Sequence, residues 1–315
     1  MDDTYPELDH YPEPDEIDDL ISDLWEEAAS APFEVEVLEE QGFRPALGLW
    51  HMRGFAYVRF EPEGMAPFYG YWQPAPSQPA PLLVHTPGYG AEMQIHPDLV
   101  ARGYNVLHVN PLGYATPEGF DESKRMDDEW PVFVDSIVNG FDRGYRPWLI
   151  NVMQAVSWAQ EEEAVLPDRL AFFGTSQGGG ASLLLGSIFR DQGVRSVAAD
   201  EPWLIHFPAY RALRPDWAQR SEETGDIFEA IEHSGDPGAL WRELGKIDAL
   251  AHVHRLTMPV LLTAGGDDTT CPMQTIRALY DRLPSTKSLT QLDGVSHGYT
   301  QAFPYLAAAW FRLYV

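Results

Sequence analysis

Leu170-Ala171-Phe172-Phe173-Gly174-Thr175-Ser176-Gln177-Gly178-Gly179-Gly180 runs from four apolar residues into a glycine-rich turn, and an Ala/Leu-rich stretch follows directly. The apolar run suits a strand buried on both faces, and the stretch after the glycines suits a helix. Gly174-Thr175-Ser176-Gln177-Gly178 therefore places a G-x-S-x-G pattern on a strand-to-helix junction. A serine raised on so sharp a turn needs glycines beside it, because a Cβ there would collide with the approaching chain. The helix N-terminus behind it offers a partial positive charge where an oxyanion can form. The bare pattern also fits a turn with an incidental serine, so its surroundings must decide.

Working outward, short apolar runs alternate with helical stretches from Leu82 onward, the rhythm of a parallel sheet with crossover helices. The runs begin at Leu82, Tyr104, Leu170, Val194, Val260 and Lys287, with helices predicted near 92–102, 147–162, 178–191, 273–283 and 301–313. Residues 33–38, 54–60 and 68–72 read as earlier strands, and Pro74, Pro76, Pro79 and Pro81 mark a surface turn rather than a linker. Near 200–255 the rhythm breaks, which predicts a cap-like insertion over the carboxyl edge of the sheet. Before the strands, Asp15 can cap a helix presenting Ile17, Leu20, Ile21, Leu24, Trp25 and Ala28 on one face, to be docked on the body. One domain over residues 1–315 is expected, with an acidic arm and helix in 1–30.

A serine hydroxyl needs a general base and a group to orient that base. Gly265-Gly266-Asp267-Asp268 follows the strand Val260–Ala264, and Gly294-Val295-Ser296-His297-Gly298 follows the strand near 287–291. Both lie beyond carboxyl ends of strands, where open α/β sheets bind ligands. The order Ser176, acid, His297 is that of the α/β-hydrolase fold. His297 is the candidate base, and spacing leaves Asp267 and Asp268 equal as its partner. The backbone amide of Gln177 is one candidate oxyanion donor, and Tyr89, in Thr86-Pro87-Gly88-Tyr89-Gly90, is the other. His85 and His108 sit inside apolar runs and read as core residues. His252 and His254 form a pair without an evident third metal ligand.

The net charge of −27 disfavours nucleic acid and anionic membrane surfaces as partners. Residues 1–43 hold sixteen Asp and Glu and no Lys or Arg, which reads as a solvated charged arm. With Cys271 the only cysteine, no intramolecular disulfide can form and no thiolate metal cage is expected. Neither a leader pattern nor an apolar run of spanning length occurs, so a cytoplasmic protein is expected, with no metal or cofactor.

The chain resembles the acetyl xylan esterase and cephalosporin C deacetylase family of α/β hydrolases. The resemblance runs through the helix around Trp25, the Gly88-Tyr89 loop, Ser176-Gln177-Gly178-Gly179-Gly180, Asp200-Glu201-Pro202-Trp203-Leu204-Ile205-His206-Phe207 and Asp268-Thr269-Thr270-Cys271-Pro272. It implies a serine esterase for short-chain, mainly acetyl, esters of small molecules or oligosaccharides. It further implies Asp268 as the acid, oxyanion donors at Tyr89 and Gln177, and a homo-oligomer, commonly a hexamer. Leu112-Gly113-Tyr114 stands where the family usually carries Arg-Gly-Gln, and His297-Gly298 where it carries His-Glu. A thioesterase, dienelactone-type hydrolase or peptidase would share the triad. A non-catalytic binding module on the same scaffold is the alternative of another class.

Overall fold

The structure is a computed structural model describing residues 5–38, 54–65, 67–88, 93–110, 115–116, 119–120, 141–143, 145–213, 222–298, 300 and 302–315. Tyr89 and Leu112-Gly113-Tyr114 lie outside the described residues. Nine strands form one sheet in the order β1-β2-β3-β5-β4-β8-β9-β10-β11. They are β1 (Phe33–Leu38), β2 (Ala56–Pro62), β3 (Phe68–Gln73), β4 (Ala80–Thr86), β5 (Asn105–Asn110), β8 (Val165–Thr175), β9 (Val194–Asp200), β10 (Val260–Gly265) and β11 (Lys287–Leu292). A separate two-stranded ribbon pairs β6 (Ala115–Thr116) with β7 (Gly119–Phe120). Strands β1, β2, β3 and β5 pair antiparallel in turn, and every pair from β5 across to β11 is parallel. This is the mostly parallel sheet of an α/β hydrolase.

The helices are α1 (Pro14–Ser30), α2 (Pro97–Ala101), α3 (Tyr145–Glu161), α4 (Gln177–Ile188), α5 (Phe207–Leu213), α6 (Glu222–His233), α7 (Pro237–Gly245), α8 (Met273–Arg282) and α9 (Ala302–Tyr314). Alternation along the central strands divides the core between the two sheet faces. Leu82, Val84, Leu170 and Phe172 pack with the α1, α3 and α4 side, whereas Leu83, Ala171 and Phe173 pack with α2 and α9. Helix α2 starts later than the stretch predicted from residue 92, because Pro97 supplies its first turn.

Helix α1 buries Ile17, Ile21 and Leu24, and the Trp25 indole donates to the carbonyl of Ile188 at 3.2 Å. Its start differs from the sequence expectation. Asp15 lies within the helix, Pro14 opens it, and the Glu16 carboxylate accepts the Glu13 N–H at 2.8 Å. Nor is the acidic arm merely solvated: Glu7 faces Arg211, Glu16 faces Arg242, Asp18 faces Arg255, and Glu27 faces Arg146. Among the described residues, no helix is long and apolar enough to cross a membrane.

Candidate active site

Strands β8 and β9 end in one register row that β10 joins near its own end, Thr175 of β8 and Thr263 of β10 both lying opposite Asp200 of β9. The Thr175 hydroxyl donates to Asp200 Oδ2 at 3.0 Å and the Thr263 hydroxyl donates to Oδ1. The row ties the strand ends together, and the next residue of β8's chain is Ser176. Ser176 takes φ +59° and ψ −123°, a conformation L-residues rarely adopt. Its N–H donates to the Asp200 carbonyl at 2.8 Å, and its own carbonyl accepts from Gly180 at 3.1 Å and Trp203 at 2.9 Å. Glycine at 178 and 180 is a packing requirement. A Cβ on Gly178 would meet the Thr86 carbonyl oxygen, and one on Gly180 would meet that of Trp203.

His297 Nε2 lies 3.0 Å from Ser176 Oγ, and His297 Nδ1 lies 2.8 Å from Asp268 Oδ2. The other oxygen of Asp268 accepts the N–H groups of Thr270 at 2.7 Å and Cys271 at 2.8 Å, so the turn after β10 orients the carboxylate. Of the two adjacent acids, Asp268 is buried and Asp267 is exposed. The structure thus brings Ser176, His297 and Asp268 together and leaves Asp267 outside. Gln177 begins α4 and is buried, its side-chain amide donating to the Tyr145 hydroxyl at 2.9 Å. Its backbone sits at a helix N-terminus, where N–H groups point outward unbonded to the helix.

A second carboxylate faces the histidine, and the sequence reading does not anticipate it. Glu201 is fully buried, with Oε2 at 3.5 Å from His297 Nδ1 and accepting the Gly298 N–H at 2.9 Å. Its Oε1 has no hydrogen-bond partner among the described residues. The available signal was Asp200-Glu201-Pro202, two acids closing an apolar strand beside the nucleophile's strand.

Burial raises the pKa of Glu201 to about 7 despite the Gly298 N–H, and raises Asp200 to about 6 despite both threonine hydroxyls. For His297 burial opposes the charged ring, but the Asp268 hydrogen bond and the Asp268, Glu201 and Asp200 charges outweigh it, so its pKa is raised. Such an imidazole can take a proton from Ser176 and hold it as an imidazolium beside carboxylate. Cys271 also sits within ligand reach of Asp268 and His297. Burial and the neighbouring carboxylates push its thiol pKa well up, which keeps it a thiol and a poor metal ligand. His252 is saturated, with Nδ1 at 2.9 Å from the Ser187 hydroxyl and Nε2 at 3.0 Å from the Lys246 carbonyl.

Residues 7–313 match the acetyl xylan esterase (AXE1) family. Among solved structures, acetyl xylan esterase 1 from Thermoanaerobacterium sp. JW/SL YS485 superposes with a TM-score of 0.73 at 21% identity, covering 99% of this chain and 98% of that one. Acetyl xylan esterase from Paenibacillus sp. R4 gives 0.74 at 18% identity, with 98% of each chain covered. A dienelactone hydrolase from Anabaena variabilis gives 0.50 at 16% identity over 80% of this chain and 94% of that one.

Proposed function

This chain belongs to the acetyl xylan esterase family and is a carboxylic ester hydrolase, and on that premise we propose that Ser176, His297 and Asp268 cleave short-chain, chiefly acetyl, esters by way of an acyl-enzyme. The observation that carries this reading is the continuous hydrogen-bonded path from Ser176 Oγ through both nitrogens of His297 to Asp268, at 3.0 and 2.8 Å. Ser176 Oγ attacks the ester carbonyl carbon as its proton passes to His297 Nε2. The Gln177 amide, and the amide of Tyr89, which follows β4 in the sequence, stabilise the resulting oxyanion. His297 returns the proton to the departing alkoxide as the C–O bond breaks, leaving acetyl on Ser176. Water then attacks that ester with His297 again taking the proton, and collapse releases the acid and restores the hydroxyl. Asp268 holds the ring and stabilises its imidazolium, while Glu201 is a positioning residue, fixing Gly298 and adding negative charge at Nδ1.

Ser176→Ala, assayed on p-nitrophenyl acetate, is expected to lower kcat by roughly 10⁴-fold or more. A fluorophosphonate probe is expected to label the unsubstituted protein at Ser176 alone. Turnover retained by a folded Ser176→Ala variant would overturn the assignment. Comparing acetylated xylo-oligosaccharides with longer acyl esters then fixes the acyl preference.

A further inference from the structure

Three of the ten histidines meet at one place on the sheet face that carries α2 and α9. His85 comes from β4, His108 from β5, and His96 from the segment leading into α2. The backbone of His96 is fixed there by its N–H, which donates to Gln73 Oε1 at 2.6 Å. One ring nitrogen from each histidine lies within 4.8 Å of the other two. The His85 and His108 Nδ1 atoms are 2.7 Å apart, their rings stacked at 5.0 Å, and the His96 ring lies 4.3 Å from that of His85. None of the three is a hydrogen-bond partner of Ser176, Asp268 or His297 among the described residues.

We propose that His85, His96 and His108 form a binding site for a divalent transition-metal ion of the zinc class, distinct from the serine site. Ring stacking alone does not account for the residue type. Phenylalanine would fill the same space against Phe173 without burying polar nitrogens, whose desolvation costs free energy unless they are paired. The hydrogen bond between His85 and His108 satisfies one donor and one acceptor. The Nε2 atoms of His96 and His108 are buried with no hydrogen-bond partner among the described residues.

The spacing suits coordination. Zinc–nitrogen bonds of about 2.0–2.1 Å place tetrahedral ligand atoms roughly 3.4 Å apart; here the two Nδ1 atoms are 2.7 Å apart and no two of the three ligand atoms are more than 4.8 Å apart. The rings need shift only modestly, and a proton shared by the two Nδ1 atoms can move to Nε2 of its own ring without changing the charge. Three imidazoles and no thiolate select zinc, cobalt, nickel or copper over magnesium or calcium. His85 and His96 also line a cavity of about 240 Å³ together with Asp98, Leu99 and Phe173. A fourth coordination position opening there could hold water or a small ligand, as in sites with three protein ligands.

The experiment is a titration of the tag-free, full-length protein with Co²⁺ after dialysis against chelator, read by visible absorption and by metal content. The expected result is one Co²⁺ per chain with the intense band of a tetrahedral or five-coordinate nitrogen site, displaced by Zn²⁺. His96→Gln, at the cavity wall, and His108→Phe, which keeps the stack, are each expected to weaken binding by more than about 10-fold. Circular dichroism of both variants verifies folding. Binding is expected to persist in Cys271→Ser, which separates this site from the Asp268, Cys271 and His297 group. Absence of a stoichiometric band, a thiolate charge-transfer band lost in Cys271→Ser, or full affinity in both histidine variants would overturn the proposal.

Discussion

Glu201 Oε2 stands 3.5 Å from His297 Nδ1 while accepting the N–H of the next residue, Gly298, at 2.9 Å, so one buried carboxylate both anchors and electrically biases the proposed base. Asp268 approaches the same nitrogen at 2.8 Å. Above about pH 7, where Glu201 as well as Asp268 is ionised, two negative charges at Nδ1 favour the imidazolium, and His297 must be neutral to accept the Ser176 proton. The kcat/KM for p-nitrophenyl acetate is therefore expected to rise with pH as His297 deprotonates, along a limb displaced upward by the carboxylates. Glu201→Gln keeps an acceptor for Gly298 and removes the charge, so the limb should move to lower pH. A purely structural role would lower the whole profile and leave its midpoint in place.

The same residue should leave a mark on stability. Burial foremost raises Glu201 from its ordinary 4.5 to about 7. Between those values the folded chain binds more protons than the unfolded chain, so stability contributed by this group falls as pH rises. Below about pH 4.5 the group is protonated in both states and the cost is absent. Glu201→Gln removes an ionisation the fold resists, and its Tm relative to the unsubstituted protein should be more favourable at pH 8 than at pH 5. Urea or thermal unfolding at the two pH values tests the sign, and a Tm difference independent of pH would contradict it.

The strand-turn-helix around Ser176 was legible because it depends on local signals: an apolar run, glycines where backbones touch, and a helix former behind them. Gly178 and Gly180 face the Thr86 and Trp203 carbonyl oxygens, so the chemistry of the motif and its packing coincide. His297 was legible for the same reason, as a polar residue just past a strand. Glu201 was not, because its meaning comes from a contact across 97 positions of chain between two strand-end loops that the sequence does not pair. The histidine cluster escaped for the opposite reason. His85 and His108 fit an apolar run as core residues, and only the pairing of β4 with β5 sets them side by side in register. The cap of α1 shifted from Asp15 because Pro14 fits the first helical turn and Glu16 can reach back to Glu13.

Asp267 and Asp268 offer a sharp contrast by a single-atom change. Asp268 uses one oxygen for His297 and the other for two backbone N–H groups, while Asp267 is exposed. Asp268→Asn favours the wrong imidazole tautomer and is expected to lower kcat by about 10⁴-fold, the scale of the corresponding change in a serine protease. Asp267→Asn should leave kcat nearly unchanged. Parallel kcat measurements on the two variants decide the matter, and a large loss at Asp267 would reverse the assignment.

Tyr11 ties the acidic N-terminal segment to the insertion that follows β9. Its hydroxyl donates to Asp248 Oδ2 at 2.7 Å, and Asp248, itself fully buried, also accepts the N–H groups of His206 at 2.8 Å, Phe207 at 2.9 Å and Leu250 at 2.9 Å. Burial raises the pKa of both groups, and the Asp248 charge adds to the rise at Tyr11. Tyr11→Phe removes one bond of four and leaves the carboxylate with its three N–H donors, so the expected loss is about 1.5–3 kcal/mol, as for a hydrogen bond to a charged group. Asp248→Ala strands three buried N–H donors and the tyrosine hydroxyl together, and its cost should exceed that of Tyr11→Phe. Urea unfolding of the two variants measures the difference. Equal costs would mean that the tyrosine hydroxyl, rather than the backbone amides gathered on Asp248, holds this junction.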